Sequence, residues 1–321
     1  MRTPQHSIRI MKAVDFVRKQ RSGGSKPLLL RLEDGRIAHV KFQRNPQTTR
    51  SLVNDLIGTL LGHSLKAPVA EAVLVDVPST LRAQIPYLTK YRWLPGLQFG
   101  TIYIEDAIPI KQSKRHQDIS NWSELPLCAL LETWLFNQDV KLSHVLCVPE
   151  NGMSRFMIVD HGFIFPSGPL WSIHDLKRRK GEFPSPDALT WLALRSPHRF
   201  NFEDALNRIS ALSSDNITSV ISLVPAEWGL SSQRMRAIAD FLAYRQKKLG
   251  NVATKFQTLW NRNKEEVDDD VKTPDSPSSS LNPPLVAEPV TFHEVPHIPD
   301  VPFKEDMSQS SEKESKKSDP R

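Results

Sequence analysis

The sequence of 321 residues contains only two cysteines, and no apolar run reaches the roughly 18 residues that a membrane-spanning helix needs. Cys128 and Cys147 are too few for a disulfide framework and lack the CxxC spacing of a zinc site or redox pair. The first residues, MRTPQHSIRIMK, lack the apolar stretch and cleavage site of an export signal. We therefore expect a soluble, cytoplasmic protein with buried, reduced thiols and no membrane partner.

Charge is divided unevenly along the chain. Residues 264–321 contain 7 basic and 14 acidic residues, which leaves 35 basic and 22 acidic residues before them. The first part is therefore strongly basic and the last part acidic. A basic body can attract nucleic acid, a membrane surface or a phosphorylated ligand, and charge alone does not choose among them.

The acidic last part also has an unusual composition, with 9 prolines among residues 264–321, alternating charges and few aliphatic side chains. Such a segment cannot bury enough apolar surface to offset its conformational entropy, so we predict a disordered, Pro/Ser-rich tail. Two roles are open for it. It is either a solubilising or tethering extension or a docking segment, for which VTFHEVPHIPDVPF is the candidate.

The first hundred residues contain mainly strand patterns. PLLLRLEDGRIAHVKF predicts two short strands around an Asp34-Gly35 turn, because Asp-Gly favours a tight hairpin. TTRSLVNDLIGTLLGHSL follows with apolar residues at helical spacing, and AEAVLVDV and RAQIPYLTKY are predicted strands. These patterns predict a mainly antiparallel sheet with one helix.

The next part is mostly helical, so the whole chain is expected to have an α+β fold. We predict a small sheet-rich N-lobe over residues 1–95 and a larger helical C-lobe over residues 96–263, with the glycines of WLPGLQFGT in the connector between them. The predicted helices of the second part lie around 124–136, 187–196, 202–212 and 230–260, and its short strands near 145–149 and 155–160.

A glycine turn, Gly23-Gly24-Ser25, precedes the predicted hairpin. Paired glycines let backbone N–H groups approach phosphate oxygens closely, which makes these three residues candidates for nucleotide binding. The pattern is neither a Walker loop nor the full glycine-rich loop of protein kinases, and a plain turn is the alternative.

Lys41 lies on the second predicted strand, and Asp55 follows 14 residues later on the predicted helix. Protein kinases use a strand lysine paired with a helix carboxylate to contact the nucleotide phosphates. Lysines in strands are more often solvated edge residues, but the presence of Asp55 favours the nucleotide-binding interpretation for both side chains.

FNQDVKLSHVLCV, residues 136–148, carries Asp139, Lys141 and His144 in a predicted loop that follows an apolar helix ending at Asn137. Asp160 comes 16 residues after His144, at the end of a predicted strand and before His161-Gly162. Protein kinases place a catalytic Asp in such a loop and a metal-binding D-F-G after it. We therefore predict that Asp139 and Lys141 are catalytic and that Asp160 and His144 hold a divalent cation, with a loop histidine of no metal role as the alternative for His144.

Residues 10–250 resemble the HipA-like kinase family, in particular its compact bacterial domain. The resemblance implies a two-lobed, protein-kinase-like fold that uses ATP with Mg²⁺ or Mn²⁺, in which Lys41 binds phosphates, Asp139 is catalytic and Asp160 binds the metal. It is carried by GGSKPLLLRLEDGRIAHVKF, NPQTTRSLVNDLIGTLL, KAPVAEAVLVDV, GLQFGT, FNQDVKLSHVLCV and MIVDHGFIF.

Three positions depart from the family pattern. Asp55 replaces a helix Glu and is one methylene shorter, so its bridge to Lys41 is expected to be strained or water-mediated. Val140 replaces an arginine, for which Lys141 can supply the cation. His144 replaces a metal-binding asparagine, and imidazole is a poor ligand for a hard cation such as Mg²⁺.

The resemblance and its departures leave two functions open. The first is an ATP-dependent protein serine/threonine kinase that acts on a hydroxyl of an unidentified protein or of the enzyme itself, and the second is a catalytically weak or inactive nucleotide-binding, regulatory module. Nucleic-acid binding through basic runs such as LKRRKGEF is a third candidate. We do not expect it, because the sequence has no zinc spacing, helix-turn-helix or interleaved aromatic pattern.

Overall fold

The computed structural model describes residues 7–20, 23–85, 94–113, 118–262 and 264. Five strands of the first hundred residues form a closed barrel in the order β1-β2-β3-β5-β4. Its neighbouring strands are antiparallel, as predicted, except that β1 and β4 pair in parallel and close the barrel. The strands are β1 (Ile10–Lys19), β2 (Leu28–Leu32), β3 (Ile37–Lys41), β4 (Ala72–Val77) and β5 (Gly96–Ile102).

Strand β3 shows how the alternation of side chains positions the lysine. Ala38 and Val40 point into the barrel core and are fully buried, whereas His39 and Lys41 lie on the outer face. The predicted turn before β3 is confirmed by Gly35, whose φ of 88° is a left-handed conformation that glycine adopts without strain. The hairpin β2–β3 therefore presents Lys41 outward at its end.

Strand β4 is apolar on both faces up to Val75 because it lies between two cores, whereas Asp76 near its end is exposed. Val73, Val75 and Val77 belong to the cluster inside the barrel, whereas Ala72 and Leu74 belong to a larger cluster that includes the helices. The period of two along this strand thus distributes its side chains between both cores. This packing attaches the barrel to the rest of the molecule.

Most of the described chain after the barrel is helical, with a small three-stranded sheet of order β6-β7-β8. Helix α1 of the first part is buried along most of its length, and α3 is buried at all ten residues. The remaining elements are α1 (Thr49–Ser64), α2 (Ser79–Gln84), β6 (Ile108–Pro109), α3 (Leu125–Trp134), β7 (Val145–Glu150), β8 (Met153–Ile158), α4 (Ile173–Arg179), α5 (Asp187–Arg195), α6 (Glu203–Ser210), α7 (Ser214–Ser222), α8 (Ser232–Gln246) and α9 (Leu249–Asn261).

The connector predicted at WLPGLQFGT is wrong, because residues 96–102 form β5, which pairs with both β3 and β4. Gly100 has a packing role there: a Cβ at this position would lie 2.8 Å from a methyl carbon of Val75. This glycine therefore allows a close approach of strands instead of marking a linker. The predicted lobe boundary after residue 95 would separate β5 from its partners.

Two further predictions differ from the structure. The strand predicted at RAQIPYLTKY is wrong over residues 82–84, which belong to α2, and residues 86–91 of it lie outside the described part. The apolar helix predicted to end at Asn137 ends at Trp134. The helices α4 and α7 were not predicted; both begin with a Ser capping box, at Ser172 and Ser213, which is a sequence signal for a helix start.

The predicted disordered tail, residues 264–321, lies outside the described residues apart from Lys264. The Nζ of Lys264 donates to the backbone oxygens of Ala193 and His198, which ties the end of the described chain to α5 and the segment after it. Within the described ranges, no helix is long and apolar enough to cross a membrane.

Candidate functional site

Lys41 contacts two carboxylates at the end of β3. Its Nζ lies 2.8 and 3.0 Å from the two oxygens of Asp55 on α1, and 2.8 Å from Oδ1 of Asp160. The expectation of a strained or water-mediated bridge to Asp55 is wrong, because the shorter side chain reaches the ammonium directly with both oxygens. Lys41 thus joins the barrel, α1 and the segment after β8.

Electrostatics keep this lysine charged. Burial opposes a charge on Lys41, but Asp160 and Asp55 outweigh burial and raise the pKa of Lys41. Loss of water also opposes the charge of Asp160, yet Lys41 and then His144 hold the pKa of Asp160 well below its usual range. Burial raises the pKa of Asp55 to about 6, against the opposing effect of Lys41. Asp160 is therefore the more strongly ionised of the two carboxylates.

The turn that carries Asp160 has a constrained backbone. Asp160 has a φ of 73°, a left-handed conformation that costs a non-glycine residue about 1–3 kcal/mol. Its Oδ1 accepts a hydrogen bond from the N–H of Gly162 at 3.2 Å, and Asn54 of α1 donates to the carbonyl oxygens of Gly162 and Ile164. A Cβ at Gly162 would lie 3.2 Å from both Asp160 Oδ1 and Asp55 Oδ2, so a side chain there would crowd the two carboxylates.

The loop that carries the predicted catalytic residues follows α3. Lys141 Nζ lies 2.6 Å from Asp139 Oδ1, and the Lys141 side chain is 59% exposed. His144 ends a short 3₁₀ turn at the start of β7, and its Nε2 lies 4.0 Å from Asp160 Oδ2. The structure thus brings Lys41, Asp55, Asp160 and His144 into one cluster, whereas Asp139 and Lys141 pair with each other on the loop that also carries His144.

The donor set fits a divalent cation only in part. Asp160 is 36% exposed; its Oδ1 contacts Lys41 and the N–H of Gly162, whereas its Oδ2 lies 4.0 Å from Nε2 of His144. Among the described residues, no group of three or more His, Cys, Asp or Glu side chains is placed to hold a metal. Mg²⁺ commonly takes one or two carboxylates and completes its shell with water and phosphate oxygens. Asp160 Oδ2 suits that arrangement, and the imidazole of His144 does not.

The predicted phosphate-binding turn lies between β1 and β2. Gly23 has a φ of 112° and accepts a hydrogen bond from the N–H of Lys26 at 3.1 Å. A Cβ at Gly24 would lie 2.4 Å from Nε2 of Gln47, in the segment between β3 and α1, and Ser25 is buried. The turn therefore packs against the segment that follows Lys41. A phosphate contact of Gly23, Gly24 and Ser25 stays a prediction.

The sequence interpretation missed two residues of this region. Glu132 is fully buried on α3, and its oxygens contact Asn137 and His161. A signal existed for Glu132, because it is the only charged residue in LPLCALLETW, the sequence of α3. A signal also existed for Asn137, because it lies two residues before Asp139, at the first position of the N-x-D-R-x-x-x-N pattern of the HipA-like kinase family.

The sequence of one known family matches this chain over most of the described residues. The sequence profile of the HipA-like kinase family matches residues 13–262, from β1 to the end of α9. The chain belongs to the HipA-like kinase family. The suspected resemblance is therefore confirmed, and the cluster of Lys41, Asp55 and Asp160 lies within the matched region. No curated relative matches the chain by sequence.

Solved structures similar to this HipA-like kinase family member include a proinflammatory kinase, CtkA, from Helicobacter pylori, with 13% identity and a TM-score of 0.48 over 79% of this chain and 99% of that chain. A Rio2 kinase complex with ADP, Mg²⁺ and phosphoaspartate from Chaetomium thermophilum has 10% identity and a TM-score of 0.42 over 74% of this chain and 72% of that chain. A hydra Fam20 structure has 9% identity and a TM-score of 0.43 over 75% of this chain and 87% of that chain.

Proposed function

We propose that the protein is an ATP-dependent phosphotransferase that transfers the γ-phosphoryl group to a serine or threonine hydroxyl of a protein. The single observation that carries this proposal is the contact of Lys41 with Asp55 and Asp160. A charged lysine held by a helix carboxylate, next to an ionised aspartate that can take a cation, is the arrangement that protein kinases use to bind nucleotide phosphates.

Each group then has a defined part in the transfer. Lys41 binds phosphate oxygens, and Asp55, which is 1% exposed, acts through Lys41 rather than by touching the nucleotide. The acceptor hydroxyl oxygen forms a bond to the γ-phosphorus while the bond from that phosphorus to the β–γ bridging oxygen breaks, so ADP leaves. Asp139 accepts the hydroxyl proton, and Lys141 offsets negative charge on the transferred group.

A bound Mg²⁺ or Mn²⁺ would be held by Asp160 through Oδ2 and would supply positive charge to the phosphate oxygens. The chain's own contribution is orientation, because Lys41 and the N–H of Gly162 both hold Oδ1 of the same carboxylate. Phosphoryl transfer depends almost entirely on such positioning and electrostatic stabilisation.

The second candidate function is a nucleotide-binding module with little or no turnover. The observation that favours it is His144, which stands where the family pattern has a metal-binding asparagine and faces Asp160 Oδ2 at 4.0 Å. An imidazole there supplies no oxygen ligand, so a second cation would have one ligand fewer. Loss of one cation would leave binding intact and slow the transfer.

For the organisation of the chain, we infer that an N-lobe comprising the barrel and α1 extends to Ile102, because β5 pairs with β3 and β4. A helical C-lobe follows up to the end of α9, and residues 264–321 differ from both lobes in their acidic, proline-rich composition. We propose that the acceptor of the phosphoryl group and the partner of the acidic segment 264–321 are both proteins.

The proposal is tested by measuring ATP binding and γ-phosphate transfer separately on the full chain. Calorimetry with a non-hydrolysable ATP analogue and Mg²⁺ measures binding, and labelled ATP with Mg²⁺ or Mn²⁺ measures transfer to the protein itself or to a generic acceptor. We expect metal-dependent binding and transfer in the natural protein. Transfer should be lost in Asp139→Asn and Asp160→Asn, whereas Asp76→Asn, an exposed aspartate on β4, serves as the matched control.

Equal traces of labelled product in the natural protein and both variants would remove the transferase interpretation. Metal-dependent binding of the analogue without transfer would support the inactive module instead. Absence of binding in the natural protein, together with unchanged behaviour of Lys41→Met, would contradict both functions.

A further inference from the structure

Glu132 is a buried charge that the proposed transfer does not use. It lies on α3, whose ten residues are all buried, and its own side chain has no exposed surface. Burying a carboxylate is unfavourable unless hydrogen bonds compensate for the lost water. Its two oxygens have separate partners: Oε2 lies 2.7 Å from Nδ2 of Asn137, and Oε1 lies 3.1 Å from Nε2 of His161.

The first partner leads to the loop of Asp139. Asn137 donates its side-chain N–H to Glu132 and accepts, with Oδ1, the backbone N–H of Asp139 at 3.0 Å. Because the carboxylate of Glu132 can only accept, it fixes which end of the Asn137 amide is the donor. The oxygen of that amide is therefore turned toward Asp139 and holds the backbone from which this side chain projects.

The second partner leads to the turn of Asp160. The His161 ring contacts Glu132 through Nε2 and the Thr59 hydroxyl through Nδ1, at 3.1 Å each. The backbone N–H of His161 donates to Asp55 Oδ1 at 3.0 Å. Helix α1 makes room for this ring at Gly58, where a Cβ would lie 2.6 Å from the Cβ of His161. These contacts hold the left-handed backbone of Asp160 from its C-terminal side.

We propose that Glu132 is a positioning residue that couples the loop of Asp139 to the turn of Asp160 and so keeps the two carboxylates in a fixed relative position. The proposal rests on the proposed function for its catalytic consequence. One carboxylate bridges both segments, so neither can move alone without breaking a buried, charge-assisted hydrogen bond. Misplacement of catalytic groups by about 1 Å can cost roughly a hundredfold in rate.

The variant Glu132→Gln tests this coupling with almost no change in shape. Glutamine offers one acceptor and one N–H₂ donor, so it cannot accept from Asn137 and from a protonated His161 nitrogen at once. The matched control is Thr133→Val on the same helix, because the Thr133 hydroxyl is buried without a hydrogen-bond partner in the described structure. The valine variant removes a polar group of the same helix and leaves the bridge intact.

The primary measurement is amide hydrogen exchange of the full chain by NMR, read at the backbone N–H groups of Asp139 and His161. We expect Glu132→Gln to accelerate exchange at both amides by about tenfold or more and Thr133→Val at neither. In the kinase assay we expect kcat of Glu132→Gln to fall by roughly a hundredfold, with the KM for ATP within about a factor of two, because the contact of Lys41 with Asp55 is untouched.

If Glu132→Gln does not fold, Asn137→Ser provides the second test. It removes the contact between Asn137 and Glu132 and leaves the contact between Glu132 and His161, and we still expect it to accelerate exchange at His161. Acceleration at only one of the two amides, or at neither, would overturn the coupling. The exchange result decides this even in a protein without turnover. Absence of transfer in the natural protein would refute the proposed function, whereas unchanged exchange in Glu132→Gln would refute the role of Glu132.

Discussion

The contact of Lys41 with Asp55 gives the sharpest prediction about stability, through the substitution Asp55→Asn. Asparagine keeps an oxygen that can accept the N–H of His161, but it loses the charge that faces Lys41 at 2.8 and 3.0 Å. A hydrogen bond between charged groups contributes about 1.5–3 kcal/mol. Lys41 keeps Asp160 as a partner in this variant. We therefore expect the decrease in the free energy of unfolding to lie near the middle of this range and not to reach the full penalty of an unpaired buried charge.

We therefore expect the free energy of unfolding to fall by about 2 kcal/mol, which corresponds to a Tm lower by about 4–8 °C for a domain of this size. Urea unfolding followed by tryptophan fluorescence measures the change. The control Asp76→Asn, at an exposed position of the same barrel, should stay within about 0.5 kcal/mol of the natural protein.

Asp55→Glu, which restores the residue of the family pattern, is the second half of this test. The space around Asp55 is set for the shorter side chain, since Lys41 is already in direct contact and Gly162 packs closely. The added methylene should cost about 1–3 kcal/mol through overpacking. If Asp55→Asn matches Asp76→Asn in stability, or if Asp55→Glu is more stable than the natural protein, then the direct contact does not exist as described.

Three further predictions concern the surroundings of the site. Arg245 is buried and donates to the backbone oxygens of Thr133 and Trp134 at the end of α3, so Arg245→Lys, which lacks the planar fork, should lower the free energy of unfolding by about 2–4 kcal/mol in the same urea assay. Burial opposes a charge on His161, but Glu132 raises the pKa of His161 above its ordinary value of 6.5. The stability from this pair is therefore complete below pH 6.5 and is lost as the pH rises through the folded pKa, so the natural protein should lose stability as the pH rises above 6.5, and Glu132→Gln should lose less; an equal loss in both would contradict this. Burial also raises the pKa of the Cys128 thiol, so Ellman's reagent should modify Cys128 only as fast as the protein opens, and rapid labelling of the folded protein would refute its burial.

Much of the site follows from local patterns in the sequence. The Asp-Gly turn and the alternation in HVKF place Lys41 on the outer face of a strand, and the helical spacing after it places Asp55 on α1. The order known from protein kinases added Asp139 and Asp160. These features depend on neighbours in the sequence, so the sequence shows them directly.

The errors arose where residues serve distant partners. Gly96 and Gly100 indicated a connector, but Gly100 allows the close approach of Val75, which lies in another strand. Glu132, the single glutamate of an apolar helix, has one partner close in the sequence, Asn137, but its second partner, His161, lies 29 residues away. Such roles are invisible to a local pattern.

Sequence information alone was enough to indicate most of the strands and helices, the face of β3 that carries Lys41, and the chain's membership of a kinase family. The packing of the whole chain was needed to show that Asp55 reaches Lys41 directly, that Asp160 shares this lysine, and that Glu132 contacts partners on two separate segments. The difference lies in separation along the chain. Periodicity reports contacts within a few residues, whereas the contact of Lys41 with Asp160 joins positions 119 residues apart and forms only when the barrel packs on the rest of the fold.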